Sequence, residues 1–205
     1  MPTRRGGPTS DLPHAARRYR SKWLPLCVVV VLTGTLCPLP GSAASNERPS
    51  AYDVEAAYLF NFGKFVTWPA NSSAPDGALT ICVLGDDPLG PTLDRLVAGE
   101  KIDGKSVVDK KISRPEDAPN CSILYISSSE VSRLNRILAV LKDAPVLTVS
   151  DIPDFTERGG MIQFVLRDNR VRFTVNLVPA QRDRLTLSSE LLKVAVDVKR
   201  GEVSH

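Results

Sequence analysis

Histidine gives the quickest chemical test of this chain. Only His14 and His205 occur, the first in a basic lead and the second as the last residue. Serine and cysteine nucleophiles of the usual kind need a positioned imidazole to take the proton. Catalytic zinc is generally held by one or more histidines. Neither class of hydrolase has its residues here. Carboxylates could do acid–base work, and Asp86 beside Asp87, or Asp151 near Asp154, are the available pairs. All four lie among turn-forming residues, where an acid more commonly caps a helix or faces water. "GDDPLG", from Gly85 to Gly90, sits where a phosphate loop would. It lacks the G-x-G-x-x-G spacing and carries two acids that would repel phosphate, so it reads as a strand-to-helix turn. The sequence thus offers no catalytic residue, metal set or cofactor motif, and a non-enzymatic binding or regulatory protein is expected. Arg167, Arg170 and Arg172 form the one remaining cluster. They suit either a solvated hairpin end or contact with an anion or protein.

Cysteine use depends on the first 44 residues. Arg4, Arg5, Arg17, Arg18, Arg20 and Lys22 lead into an apolar run, Leu26 to Leu36, then Pro38, Pro40, Gly41 and the small residues Ser42-Ala43-Ala44. A basic region, a short apolar region and a small-residue site describe a cleaved signal peptide over residues 1–44. The apolar run is 11 residues long, well short of the roughly 20 that a spanning helix needs. Cys37 hints at a lipoprotein, but the residue before it, Leu36, is too large for a lipobox. Cleavage after Ala44 would leave residues 45–205, a single domain of 161 residues with 20 basic and 22 acidic side chains. The basicity of the whole chain therefore belongs to the leader, and nucleic acid loses its electrostatic warrant as a partner. Cys82 and Cys121 remain, an even number in an exported chain, which favours a disulfide over two buried thiols.

Periodicity supplies the elements that would hold these residues. "AYLFNFGKFVTWP", Ala57 to Pro69, carries five of the twelve aromatic residues: Tyr58, Phe60, Phe62, Phe65 and Trp68. With Val54 and Val66 they recur at helical spacing, behind Ser50 as a cap and ahead of Pro69 as a stop. "LTICVL", "CSILYIS" and "PVLTVS" are short apolar runs, hence buried strands, and "KSVVDKKI" is a strand nearer an edge. Asp87 with Pro88 should open one helix. Glu130 to Leu141 should form another, with Val131, Leu134, Ile137, Leu138 and Leu141 facing inward. "MIQFVLRDNRVRFTVNL" predicts two strands around Asp168-Asn169, and "VPAQRDRL" and "SSELLKVAVDVK" two helical pieces. The fold class expected is a three-layer α/β domain with a mixed, mostly parallel sheet and a C-terminal hairpin.

The opening Y-L-x-x-F-x-x-F-V-x-W-P pattern, "RVRFTVNL" after the hairpin turn, "RLTLSSELLKVA" and the cysteine spacing together resemble the YfiR family of periplasmic regulators, over about Tyr52 to Val196. The resemblance implies a non-enzymatic α/β protein without a cofactor that binds the periplasmic part of an inner-membrane diguanylate cyclase. It would hold that cyclase inactive, keeping cyclic di-GMP and biofilm formation low. Homodimers are common in the family. The resemblance pairs Cys82 with Cys121 as the structural disulfide. It places partner contacts on the last strand of the hairpin and the segment after it, here Phe173, Thr174, Asn176 and Ala180. Alternation adds a direction: Val171, Phe173 and Val175 share one face and Arg172, Thr174 and Asn176 the other. The apolar face should pack inward, so a partner should meet Arg172 and Thr174, with the small Ala180 just past Pro179 allowing close approach. The alternative function is a periplasmic small-ligand-binding or sensory domain acting without a cyclase.

Overall fold

The computed structural model describes residues 49–70 and 77–201; the expected leader, 1–44, lies outside them. Helix α1 (Ala51–Phe65) starts where Ser50 and Asp53 form a reciprocal capping box. It ends at Phe65, four residues ahead of Pro69. The chain turns extended there as β1 (Val66–Thr67), which later pairs antiparallel with β9 (Thr186–Leu187). Strand β2 (Leu79–Leu84) is buried throughout. Helix α2 (Gly90–Val97) begins later than expected, with Leu89 rather than Asp87 at its N-cap. Asp87 instead accepts from the Leu89 and Gly90 amides and pairs with Lys111 at 2.9 Å.

The remaining strands are β3 (Lys101–Ile102), β4 (Lys105–Ile112), β5 (Ile123–Ile126), β6 (Leu147–Ser150), β7 (Ile162–Arg167), β8 (Arg170–Asn176) and β10 (Asp197–Lys199). The helices are α3 (Leu134–Val140), α4 (Leu177–Arg182) and α5 (Ser189–Val194). Eight strands form one sheet in the order β10-β8-β7-β6-β5-β2-β4-β3. The inner pairs from β4 to β7 are parallel, and β7–β8 is an antiparallel hairpin. The three-layer expectation therefore holds. Alternate strand residues divide between two cores. Ile81, Val83, Ile123, Tyr125, Leu147 and Val149 pack with α1, α2 and α5. Cys82, Leu84, Leu124 and Ile126 pack with Leu134 and Ile137 of α3.

Two expected helices are shorter than their periodicity suggested. The segment from Glu130 opens as a 3-10 turn, Ser128–Glu130, and becomes α-helical only at Leu134. Val131 consequently points to solvent, 46% exposed. The last expected helix stops at Val194. "VDVK" then forms β10, which pairs parallel with Thr174–Asn176 of β8. The outer edge of the hairpin is therefore covered over Thr174–Asn176.

Candidate protein-docking surface

In an open parallel sheet, ligands usually bind outside the strand C-termini where the strand order reverses. Here that point lies between β2 and β5, and the chain itself fills it. Gly85 leaves β2 at φ +92°, and an added Cβ would come within 2.5 Å of Ser129 Oγ and 2.8 Å of Glu130 Cγ. Ser129 Oγ also accepts from the Asp86 amide at 2.9 Å. The "GDDPLG" turn is thus packed against the turn after β5 and has no cradle for phosphate.

A buried group of perturbed acids lies beneath α1. Glu55 is 5% exposed, and the Tyr125 hydroxyl donates to its Oε2 at 3.3 Å. Burial, with the charge of Asp151 added, pushes the Glu55 carboxyl up to about 7, although the Tyr125 hydrogen bond pulls the other way. Burial also raises Asp151. The Tyr125 phenol is raised by burial and by the nearby Glu55 and Asp151 charges. Such a trio could move a proton, but Glu55 is closed to substrate, so its consequence is for stability. An unfolded glutamate titrates near 4.5. The folded chain therefore holds a proton that the unfolded chain has released between that pH and about 7. The stability contributed by neutral Glu55 is complete below the lower value and is lost as pH rises through the upper one. The unfolding free energy should fall by about 2–3 kcal/mol between pH 5 and pH 8. Glu55→Gln should flatten that slope. Chemical denaturation across the range checks both, and an equally steep slope in the glutamine variant would rule Glu55 out as its source.

At the other end of the sheet the hairpin turns at Asp168 and Asn169, both at positive φ (51° and 56°) as a two-residue loop requires. Phe173 is 1% exposed and meets Phe62 and Tyr58 edge-on, at 5.2 and 5.4 Å between ring centres. Asn176 is also buried. Its side chain caps α4 by accepting from the Val178 amide and donates to the Thr156 carbonyl at 2.8 Å. Ala180 is 0% exposed, because α4 folds back so that the Leu185 amide bonds the Ala180 carbonyl in the main core. These three positions are buried and expose no surface of their own. The expectations that Asn176 shares the outward face of β8 with Arg172 and Thr174, and that Ala180 offers a partner close approach, are corrected on that ground.

Arg172 and Thr174 are half-buried on the face turned away from Phe173. The Thr174 hydroxyl is buried with no hydrogen-bond partner among the described residues. Arg167, Arg170 and Arg172 make no ion pair among the described residues. The hydroxyl is enclosed, so what this face offers a partner is the arginines without an ion pair.

Cys82, in the middle of β2, is disulfide-bonded to Cys121, just before β5, with Cα atoms 5.9 Å apart. The register explains the reach: β2 and β5 are adjacent and parallel, with Ile81 opposite Ile123. The expected pairing is present.

The sequence profile of the YfiR/HmsC-like family matches residues 52–196. The chain belongs to the YfiR/HmsC-like family. This is a regulatory family of periplasmic proteins associated with cyclic di-GMP signalling. A search of curated proteins returns no match. Among solved structures, a conserved domain protein from Vibrio cholerae O1 biovar El Tor is similar at 12% identity and TM-score 0.49, over 73% of this chain and 60% of its own. The ABC domain in complex with L-Trp from Streptococcus pneumonia is similar at 11% identity and TM-score 0.49, over 70% of this chain and 61% of its own. The chain thus spans about three-fifths of the length of each. Of its signature aromatics, Phe62 is buried and Trp68 donates to the Ser122 carbonyl at 3.1 Å, while Phe65 is 38% exposed.

Proposed function

We propose that this YfiR/HmsC-like protein acts in the periplasm by binding the periplasmic part of an inner-membrane diguanylate cyclase and holding it inactive. The observation that carries the reading is the half-open face of β8. Arg172, with no ion-pair partner among the described residues, lies there beside half-buried Thr174, supported from behind by Phe173, Asn176 and Ala180. Contacts on that face would neutralise the arginine. That gain favours a polar protein surface carrying acidic groups, with electrostatics setting specificity and encounter rate.

Photo-crosslinking from position 172 in living cells tests the contact. The expected product joins this protein to a membrane protein with a cyclase output domain. Recovery of soluble proteins alone would refute the site. Arg172→Glu should also release the cyclase while leaving stability within about 0.5 kcal/mol, as surface changes usually do. Paired measurements of cyclic di-GMP and melting temperature check that split.

A second reading, a sensory domain that binds a small ligand, is favoured by a separate observation. The aromatic face of α1 borders an open apolar hollow.

A further inference from the structure

That hollow has a volume of about 320 Å³ between α1, β8 and α5. Tyr58, Phe62, Phe65, Phe173, Leu191 and Val194 wall it, and Asn61 and Glu190 complete its lining. Its apolar rim stands in water, with Val194 60% and Phe65 38% exposed. Tyr58 also lines a second hollow of about 540 Å³, whose lining includes Leu166, Arg170 and Arg172 of the hairpin. Leu166 is 66% exposed. Neither arginine has an ion-pair partner among the described residues. Cavities of roughly 300–1,000 Å³, mostly apolar with a few placed polar groups, are the usual form of a small-molecule site.

The chemistry has a direction. Glu190 sits at the apolar end, where its carboxylate would repel an anion. The Asp53 carboxylate near the hairpin end is already engaged by Ser50 and Thr92. An anion is therefore favoured only toward Arg170 and Arg172, and an alkyl or aryl tail only toward the phenylalanines.

We propose that the two hollows form one site for an anionic amphiphile of the medium-chain carboxylate type, its tail against Phe62, Phe65 and Val194 and its carboxylate against Arg170. This goes beyond the repressor reading and stands without it, since binding can be measured on the isolated protein. A ligand there would lie against Phe173, the support of the docking face, so the site is placed to report envelope lipid chemistry to a partner.

Calorimetric titration of the exported protein with decanoate, kept below its micelle concentration, and with 1-decanol tests the site. Saturable binding of one decanoate per chain is expected. Arg170→Glu should weaken decanoate about tenfold while leaving decanol within about twofold. Val194→Glu should weaken both ligands. Both changes are at exposed positions, so unchanged melting temperatures serve as the control. Absence of saturable decanoate binding, or equal losses for acid and alcohol in Arg170→Glu, would overturn the proposal. So would a wild-type dimer that Val194→Glu splits without any decanoate binding, because the hollow would then belong to a second copy of the chain. None of these results bears on whether deletion changes cyclic di-GMP, so the two readings fail separately.

Discussion

Phe173→Ala is expected to cost about 3–5 kcal/mol, the range for emptying a buried phenylalanine site. The side chain is 1% exposed and stands edge-on to both Tyr58 and Phe62, which themselves join the hairpin to α1. A backbone fixed in the sheet, between Phe164 on β7 and the start of β10, cannot collapse into the void. For a domain of this size each kcal/mol moves the melting temperature by about 2–4 °C, so a drop of roughly 10 °C is the scale to look for. Ala180→Arg should be at least as damaging, because it drives a charge into a fully buried position with no partner. Loss of repression in either variant would report unfolding, and only Arg172→Glu separates docking from stability. Thermal melts of the three proteins check this ordering; an Ala180→Arg protein that melts like the wild type would mean that α4 does not cover its inner face.

The disulfide should matter nearly as much. Cys82 and Cys121 are 39 residues apart in sequence, and closing a loop of that length contributes roughly 3–4 kcal/mol on the chain-entropy view. Cys82→Ala with Cys121→Ala avoids leaving one buried thiol or hydroxyl unpaired. The double variant should melt about 10 °C below the wild type, and a reductant should bring the wild type down to the same point. Alkylation of the native, exported protein should label no thiol before reduction and two after. A melting temperature indifferent to reductant would contradict a stabilising bridge.

Features set by neighbours in sequence were legible without the structure. Ser50 caps α1 because a serine and an acid three residues on can exchange bonds locally. Asp168 and Asn169 turn the hairpin because both tolerate positive φ. Alternation along β8 put Phe173 inside and left Arg172 and Thr174 on the other face, but it also put Asn176 there, which its bonds to the Thr156 carbonyl and the Val178 amide hold inside. The cysteine pair was legible from its count and compartment, with no need to know that β2 and β5 are neighbours.

Features set by tertiary partners were not. Ala180 reads as a small residue in a short helix, and only the fold-back of α4 through the Leu185 amide buries it. Glu55 reads as a first-turn acid favoured by the helix dipole, and nothing local shows the Tyr125 hydroxyl 70 residues away. The alternating "VDVK" was a strand signal, masked by the helical residues ahead of it. The two hollows along α1 were hidden for the same reason: the aromatic stripe looks like a core stripe, and much of it is one, but α5 stops short of covering Phe65.

The repressor proposal is tested most directly by cyclic di-GMP in cells lacking this protein. Deletion should raise the nucleotide, with more biofilm and less swimming. Wild-type protein supplied in trans should restore the low level, and Arg172→Glu protein, present in equal amount, should not. A clean deletion that leaves cyclic di-GMP unchanged would contradict repression of a cyclase and leave the ligand-sensing function as the one the structure supports.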